Sequence, residues 1–263
     1  MATPTPARPR PSIHFQADGA GPPLTLIHGV GARLESWDEV VSRLAPRFRV
    51  IRLDLRGHGR SGPIDGPCSL EDFADDVRHV WEKLGITRSH VAGFSLGGLI
   101  AQSLALSDGP RIDKLIILSA VAGRTEEERA KVAQRLKLVQ TEGIGSVLGM
   151  AEDRWFTPEF RAAHPERVAA RLKELKENEP RSYAAAYTVF ATGDLGHRLG
   201  EIRNPTLIAT GENDVGSNVR MARMMHERIQ GSTLHIMPRL RHSVLVEASD
   251  KVADLFLAFL TRD

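Results

Sequence analysis

The chain has 263 residues, which sets a prior of one or two domains. Hydrophobic residues make up 41% and charged residues 26%, enough apolar material for a sizeable core and an argument against global disorder. A net charge of +2 gives no reason to expect nucleic acid or an anionic membrane surface as partner.

Met1 to Pro11 reads MATPTPARPRP. Its prolines and arginines replace the apolar run that a signal peptide needs, so residues 1–11 read as a flexible tail. No later segment has the ~18 uninterrupted apolar residues of a membrane span. A soluble, cytoplasmic protein is the expectation. The sequence does not give the oligomeric state, and a homo-oligomer stays open.

His14 falls in a first strand. Leu24–Ile27 reads as a buried strand that ends at His28-Gly29. Ser36–Leu44 reads as a helix with a capping box, Ser36 capping and Glu39 reaching back. Val50–Leu53 is the next strand. Gly57-His58-Gly59-Arg60-Ser61-Gly62 follows it and matches G-x-G-x-x-G. A dinucleotide site needs that loop to open a helix, so that phosphate meets its N-terminus. Pro63 and Asp65-Gly66-Pro67 intervene, and nucleotide binding is rejected. Cys68 is the one cysteine, so no internal disulfide and no Cys-rich metal site is expected. It reads as a small residue before a helix rather than as a catalytic thiol.

Ser69–Leu84 is helical, with Phe73, Val77, Val80, Trp81 and Leu84 on one face. His90–Gly93 is a strand and Leu96–Leu106 a helix apolar on most faces. Leu115–Leu118 is the most apolar strand. Residues 124–200 then show no strand and read as several helices, starting at Thr125-Glu126-Glu127-Glu128. Thr206–Ala209, the helix Asn218–Ile229, the strand Thr233–Met237 and the helix Ala248–Leu260 complete the chain. Near-continuous apolar strands alternating with helices imply an α/β fold with a mostly parallel, doubly wound sheet. The expected division is a core of residues 12–123 and 201–263, with a helical cap over 124–200 acting as a lid.

The chemistry centres on Gly93-Phe94-Ser95-Leu96-Gly97, a G-x-S-x-G between a strand and a helix. A strand turning directly into a helix strains the serine and requires small residues two positions away. It holds the Ser95 hydroxyl at a helix N-terminus, where the dipole favours developing negative charge. A serine nucleophile needs a base, and the base needs an orienting acid. Of the ten histidines, only His242 follows the last strand, in a loop opening on the same edge as Ser95. Asp214, in Gly211-Glu212-Asn213-Asp214 after the strand Thr206–Ala209, is the best acid, with Glu212 the runner-up. Asp194 in the cap and Asp250 on a helix are poorer choices. Ser119 and Ala120 occupy the alternative acid position and cannot serve. Oxyanion donors are assigned to the backbone N–H of Leu96 and of Val30. His28 is given a structural role, tying the Val30 loop down. No H-E-x-x-H and no Cys/His cluster occurs, so no metal and no cofactor is implied.

These motifs together resemble the α/β-hydrolase superfamily, from about Ile13 to Leu260. The pieces are His28-Gly29, Asp54 to Ser61, Gly93 to Gly98, Gly211 to Asp214, and His242. Within it the chain resembles the 3-oxoadipate enol-lactonase group and related small-acid hydrolases. Trp37, the Arg-Gly-His-Gly-Arg-Ser segment, Ala151 to Thr157 and Asp194-Leu195 carry that likeness. The resemblance implies a serine esterase or lactonase acting on a small organic acid, often in degradation of aromatic compounds. Two segments depart from the pattern: Val215-Gly216-Ser217-Asn218 after the acid, and Val30-Gly31-Ala32-Arg33-Leu34 after His28-Gly29. An amide or enamide hydrolase of a small dicarboxylic acid fits about as well. A carbon–carbon bond hydrolase and a non-catalytic small-molecule receptor on the same fold also remain open. An anionic substrate is plausible, with Arg33, Arg154, Trp155 and Arg161 as its candidate contacts.

Overall fold

A computed structural model describes residues 11–262. Apart from Pro11, the tail expected over residues 1–11 lies outside them. Seven strands run in chain order: β1 (Phe15–Asp18), β2 (Pro23–Ile27), β3 (Arg49–Leu53), β4 (Ser89–Phe94), β5 (Ile112–Leu118), β6 (Thr206–Gly211) and β7 (Thr233–Met237). The core helices are α1 (Asp38–Leu44), α2 (Leu70–Leu84), α3 (Leu96–Ser107), α9 (Val219–Arg228), α10 (Val244–Glu247) and α11 (Ser249–Leu260). Between β5 and β6 lie α4 (Glu126–Glu142), α5 (Leu148–Trp155), α6 (Pro158–Ala163), α7 (Pro165–Lys176) and α8 (Pro180–Thr192). This insertion carries no strand, in agreement with its sequence pattern. Among the described residues no helix is long and apolar enough to cross a membrane.

The sheet order is β1-β3-β2-β4-β5-β6-β7, with β1 antiparallel to β3 and every other pair parallel. Side chains alternate between its two faces. Leu115 and Ile117 join the core beneath α2, α3 and α9, whereas Ile116 and Leu118 join the one beneath α1 and α11. Both faces are therefore covered, which is why the strands read as continuous apolar runs. The order reverses between β2 and β4. In open α/β sheets the crevice at the carboxyl ends of such a strand pair is the ligand site.

One expected feature is absent. Ser36 does not cap a helix: it lies inside a short 3-10 turn, Leu34–Trp37, and its buried hydroxyl has no partner. The turn is held at its first residue instead, where Asp54 Oδ1, from the loop after the neighbouring strand β3, accepts the Leu34 N–H at 2.8 Å. Glu39 instead meets Arg167 and Ser249. The Ser69 and Thr125 caps do form, each as a reciprocal box with the residue three positions on.

The G-x-G-x-x-G segment is a loop folded around Asp54, and no helix begins before Leu70. The Asp54 carboxylate accepts the Arg60 N–H at 2.9 Å and meets His14 Nδ1 at 3.0 Å. Gly59 has φ +52°, and a Cβ there would lie 2.4 Å from the Asp54 carboxyl carbon. The glycine is needed for this close approach.

The insertion is fastened at its neck. Asp194 accepts the N–H groups of Gly123 (2.7 Å), Arg124 (2.9 Å) and Gly196 (2.9 Å), tying the two crossing segments together. The Arg124 guanidinium is buried, stacks over Phe190 at 4.9 Å and donates to the carbonyls of Phe190, Ala191 and Gly193.

Candidate active site

Ser95 sits between β4 and α3 with φ 55° and ψ −115°, a conformation a non-glycine residue adopts only under strain. The surrounding glycines make the turn possible. A Cβ on Gly93 would lie 2.0 Å from the Gly97 carbonyl oxygen, and one on Gly97 would lie 2.1 Å from that of Ile27. β4 and α3 thus pack with no room for side chains, and Ser95 is pushed out at the crevice between β2 and β4.

Asp214 and His242 arrive from the loops after β6 and β7. His242 Nδ1 lies 2.6 Å from Asp214 Oδ2. Asp214 Oδ1 accepts the N–H groups of Gly216 and Ser217, each at 2.9 Å. Burial alone would raise the Asp214 pKa. The charge and hydrogen bond of His242, with the two backbone donors, hold it below the usual carboxylate range. An anionic acid on Nδ1 makes Nδ1 the donor and leaves Nε2 free to accept a proton. Glu212, the runner-up, points away and accepts the Arg239 N–H at 2.8 Å. The Gly216-Ser217 stretch that departs from the family pattern is thus what supports the acid. The Phe94 ring flanks the imidazole at 5.0 Å.

Ser95 and His242 line one cavity with Gly29, Val30 and Phe94, roofed by the insertion. Among the described residues the Ser95 hydroxyl makes no hydrogen bond. Such a link often tightens only when substrate is bound. The N–H groups of Val30 and Leu96 likewise have no partner there. They are two unengaged donors beside the serine.

Two neutral histidines hold the Val30 loop. His28 donates from Nδ1 to the Gly29 carbonyl (2.7 Å) and accepts the Leu55 N–H at Nε2 (2.9 Å). His58 donates from Nδ1 to the Arg56 carbonyl (2.9 Å) and accepts the Gly31 N–H at Nε2 (3.0 Å). These bonds fix the tautomers. Burial lowers the pKa of His28 to about 4 and of His58 to about 3.

The roof is cationic. Arg135, Arg154 and Arg171 line the cavity with Tyr183 and Tyr187. Arg154 has no hydrogen bond or ion pair among the described residues. Burial, then the charge of Arg135, lowers its pKa. Glu128, on the same wall, is bound by Arg220 and Asn218. Of the four candidate substrate contacts, Arg154 and Trp155 line this cavity. Arg33 and Arg161 do not. Arg33 lies in an outer groove near Glu35, 3.8 Å away, and Arg161 pairs with Asp153 at the surface behind Asp214. Each has a carboxylate neighbour that draws it outward. The sequence pattern does not single out Arg135, Arg171 or the two tyrosines. The Tyr183/Tyr187 pair, one turn apart on an alanine-rich helix, was the available signal.

Residues 26–255 match the alpha/beta hydrolase family. The chain belongs to that family. It is 30% identical to an (E)-2-((N-methylformamido)methylene)succinate hydrolase of Acinetobacter baylyi, covering 95% of this chain and 94% of that one. It is 30% identical to 3-oxoadipate enol-lactonase 2 of the same organism, covering 82% of this chain and 80% of the relative. The fold superposes on the crystal structure of the enol-lactonase from Burkholderia xenovorans LB400 with TM-score 0.90. That pair shares 26% identity over 96% of this chain and 97% of the other. A thermophilic esterase from Thermogutta terrifontis, solved with malate bound, gives TM-score 0.87 at 26% identity, covering 95% and 93%. This hydrolase therefore shares its architecture along nearly the whole chain with an enol-lactonase and an esterase.

Proposed function

We propose that this hydrolase cleaves an ester or lactone of a small, carboxylate-bearing organic acid through an acyl-enzyme on Ser95. A cytoplasmic setting and a role in breaking down aromatic compounds belong to the same reading. The observation that carries it is the Asp214–His242 bond of 2.6 Å beside a strained serine and two unengaged N–H donors.

In the first step Ser95 Oγ attacks the carbonyl carbon while His242 Nε2 takes its proton. Asp214 stabilises the imidazolium. The oxyanion accepts from the Val30 and Leu96 N–H groups, each such donor supplying about 2.7–4 kcal/mol. Collapse of the adduct passes the proton from His242 to the leaving oxygen. Water, deprotonated by His242, then releases the acid and frees Ser95.

The acid's own carboxylate is the natural partner for Arg154, a half-buried guanidinium without an ion pair among the described residues. With Arg135 and Arg171 nearby, the cavity has cationic capacity for more than one carboxylate. That favours one second reading, an amide or enamide of a dicarboxylic acid. The named substrate of the Acinetobacter succinate hydrolase and the malate bound to the Thermogutta esterase are both dicarboxylates and support this charge preference.

The test is turnover of p-nitrophenyl acetate and labelling by a fluorophosphonate. Wild-type protein is expected to do both, and Ser95→Ala neither, while keeping its thermal midpoint. Turnover retained in Ser95→Ala would overturn the mechanism.

A further inference from the structure

Arg171 on α7 lies in the wall of the cavity, yet its hydrogen bond goes to backbone. Its Nη1 donates to the Gly31 carbonyl at 2.9 Å, and Asn178 Nδ2 shares that carbonyl at 3.3 Å. The Gly31 N–H is held from the other side by His58 Nε2 at 3.0 Å. Gly31 directly follows Val30, whose N–H is an oxyanion donor in the mechanism above. The loop is enclosed as well as bonded. Gly31 has φ +70°, and a Cβ there would come within 2.5 Å of Leu175 and 2.8 Å of Tyr183, both on the insertion.

The other side of Arg171 leads to the base. Its guanidinium stacks 4.7 Å from the Trp155 ring centroid, at the end of α5. The Trp155 carbonyl accepts the N–H of Ser243, the residue after His242, at 2.9 Å. Arg241, the residue before His242, donates to the Phe156 carbonyl at 3.2 Å. One stacked pair on the insertion therefore grips both the oxyanion loop and the base loop.

Packing does not require this arrangement. The Arg171 side chain is only 12% exposed, and its nearest carboxylate, Glu174, stands 3.9 Å away with one buried oxygen lacking a hydrogen bond. A buried guanidinium so loosely compensated stabilises less than an apolar side chain of its volume would. What only an arginine supplies is a planar group that stacks and donates at once.

We propose that Arg171 is a positioning residue: with Trp155 it forms a strut that sets the Val30 oxyanion donor relative to His242. The insertion is then part of the catalytic frame as well as a roof. This rests on the Ser95 mechanism above.

The experiment uses p-nitrophenyl acetate, whose acyl group has no carboxylate for an arginine to bind. Arg171→Met keeps the stem over Trp155 and removes the donor. It is expected to lower kcat roughly 10- to 100-fold with KM within about twofold, the size expected when a catalytic donor is misplaced. Affinity for a trifluoromethyl ketone, which mimics the tetrahedral adduct, should fall by the same factor. Arg171→Lys, which keeps a donor, should recover part of both, and Asn178→Ala should show a weaker version. Wild-type kcat and ketone affinity in a folded Arg171→Met would overturn the strut alone. So would a raised KM at unchanged kcat. If Arg171→Met does not fold, Arg171→Lys and Asn178→Ala decide by the same two readouts. Absence of Ser95-dependent turnover in the wild type would overturn the mechanism and the strut together.

Discussion

On the sheet side of the cavity, Ser95, Val30 and Asp214 ride on turns whose backbone has no room to move. Gly93 and Gly97 pack with no space for a Cβ, and the Val30 loop is bonded through two neutral histidines. On the insertion side, the working groups are the ends of long side chains: Arg135, Arg154 and Arg171 from three separate helices. The first construction holds the proposed reacting groups through packed backbone. The second can change its charge pattern by single substitutions without touching the turns. In the proposed mechanism the acyl chemistry belongs to the sheet edge, and the choice of acid belongs to the insertion.

The largest expected effect falls on the sheet side. Asp214→Asn removes the charge that holds the His242 tautomer, and turnover of any substrate should fall about 10⁴-fold. Neutral and anionic substrates should lose the same factor. A near-normal rate would transfer the acid role to Glu212.

Next comes the insertion. Arg154→Leu removes a half-buried cation that has no ion pair among the described residues. KM for a carboxylate-bearing lactone should rise about 10- to 100-fold, the factor for a charged hydrogen bond of roughly 1.5–3 kcal/mol. Turnover of p-nitrophenyl acetate should hardly change. Equal losses on both substrates would break the division between chemistry and selection.

The same contrast governs what sequence reveals. Ser95, Asp214 and His242 are legible because a strand-to-helix turn imposes small residues at fixed spacing, and chain order supplies the rest. The sheet is legible because strands covered on both faces are continuously apolar. Of the cavity's arginines, Arg154 is legible in its segment beside Trp155, whereas Arg135 and Arg171 are not. A helix in the insertion carries charges all round, and which guanidinium turns inward depends on where the helices dock. Arg33 and Arg161 sit near site motifs in sequence but are drawn to Glu35 and Asp153. Arg171 reads as one more solvated arginine on a charged helix. Ser36 misleads for a related reason: the turn begins two residues earlier, at Leu34, whose N–H is taken by a carboxylate distant in sequence, Asp54.

A smaller effect tests whether the insertion is a separable unit. Asp194→Ala strands the N–H groups of Gly123, Arg124 and Gly196 at the neck. Each buried donor left unsatisfied costs about 1–3 kcal/mol, less where water reaches it. Limited proteolysis within residues 126–192 should accelerate. Fluorophosphonate labelling of Ser95 should persist, because no sheet-side turn depends on Asp194. Loss of labelling at the same rate as cleavage would mean that the two sides fold as one.

The smallest effect is a pH dependence confined to the sheet side. His28 and His58 have folded pKa values of about 4 and about 3, lowered first by burial. Their mutual repulsion and the nearby Arg171 charge lower His58 further, against Asp54 and the Arg56 carbonyl, which raise it. Unfolded histidines titrate near ~6.5. Below that value the unfolded chain binds protons that the folded chain refuses, so stability is full above about 6.5 and falls as pH drops toward the folded values. Asp194 and Glu128, which fasten the insertion, have lowered carboxylate pKa values, and Glu128 lies at about 2. Their contribution is full above the ordinary carboxylate range of roughly 4 and is lost only below it. Between pH 7 and pH 5 the histidines therefore weaken while the insertion's carboxylates do not. The thermal midpoint should fall by a few degrees over that range. His58→Gln, which keeps an acceptor for the Gly31 N–H but cannot be protonated, should flatten the slope. A midpoint equally steep in His58→Gln would show that the acid sensitivity arises elsewhere than in the histidines under the oxyanion loop.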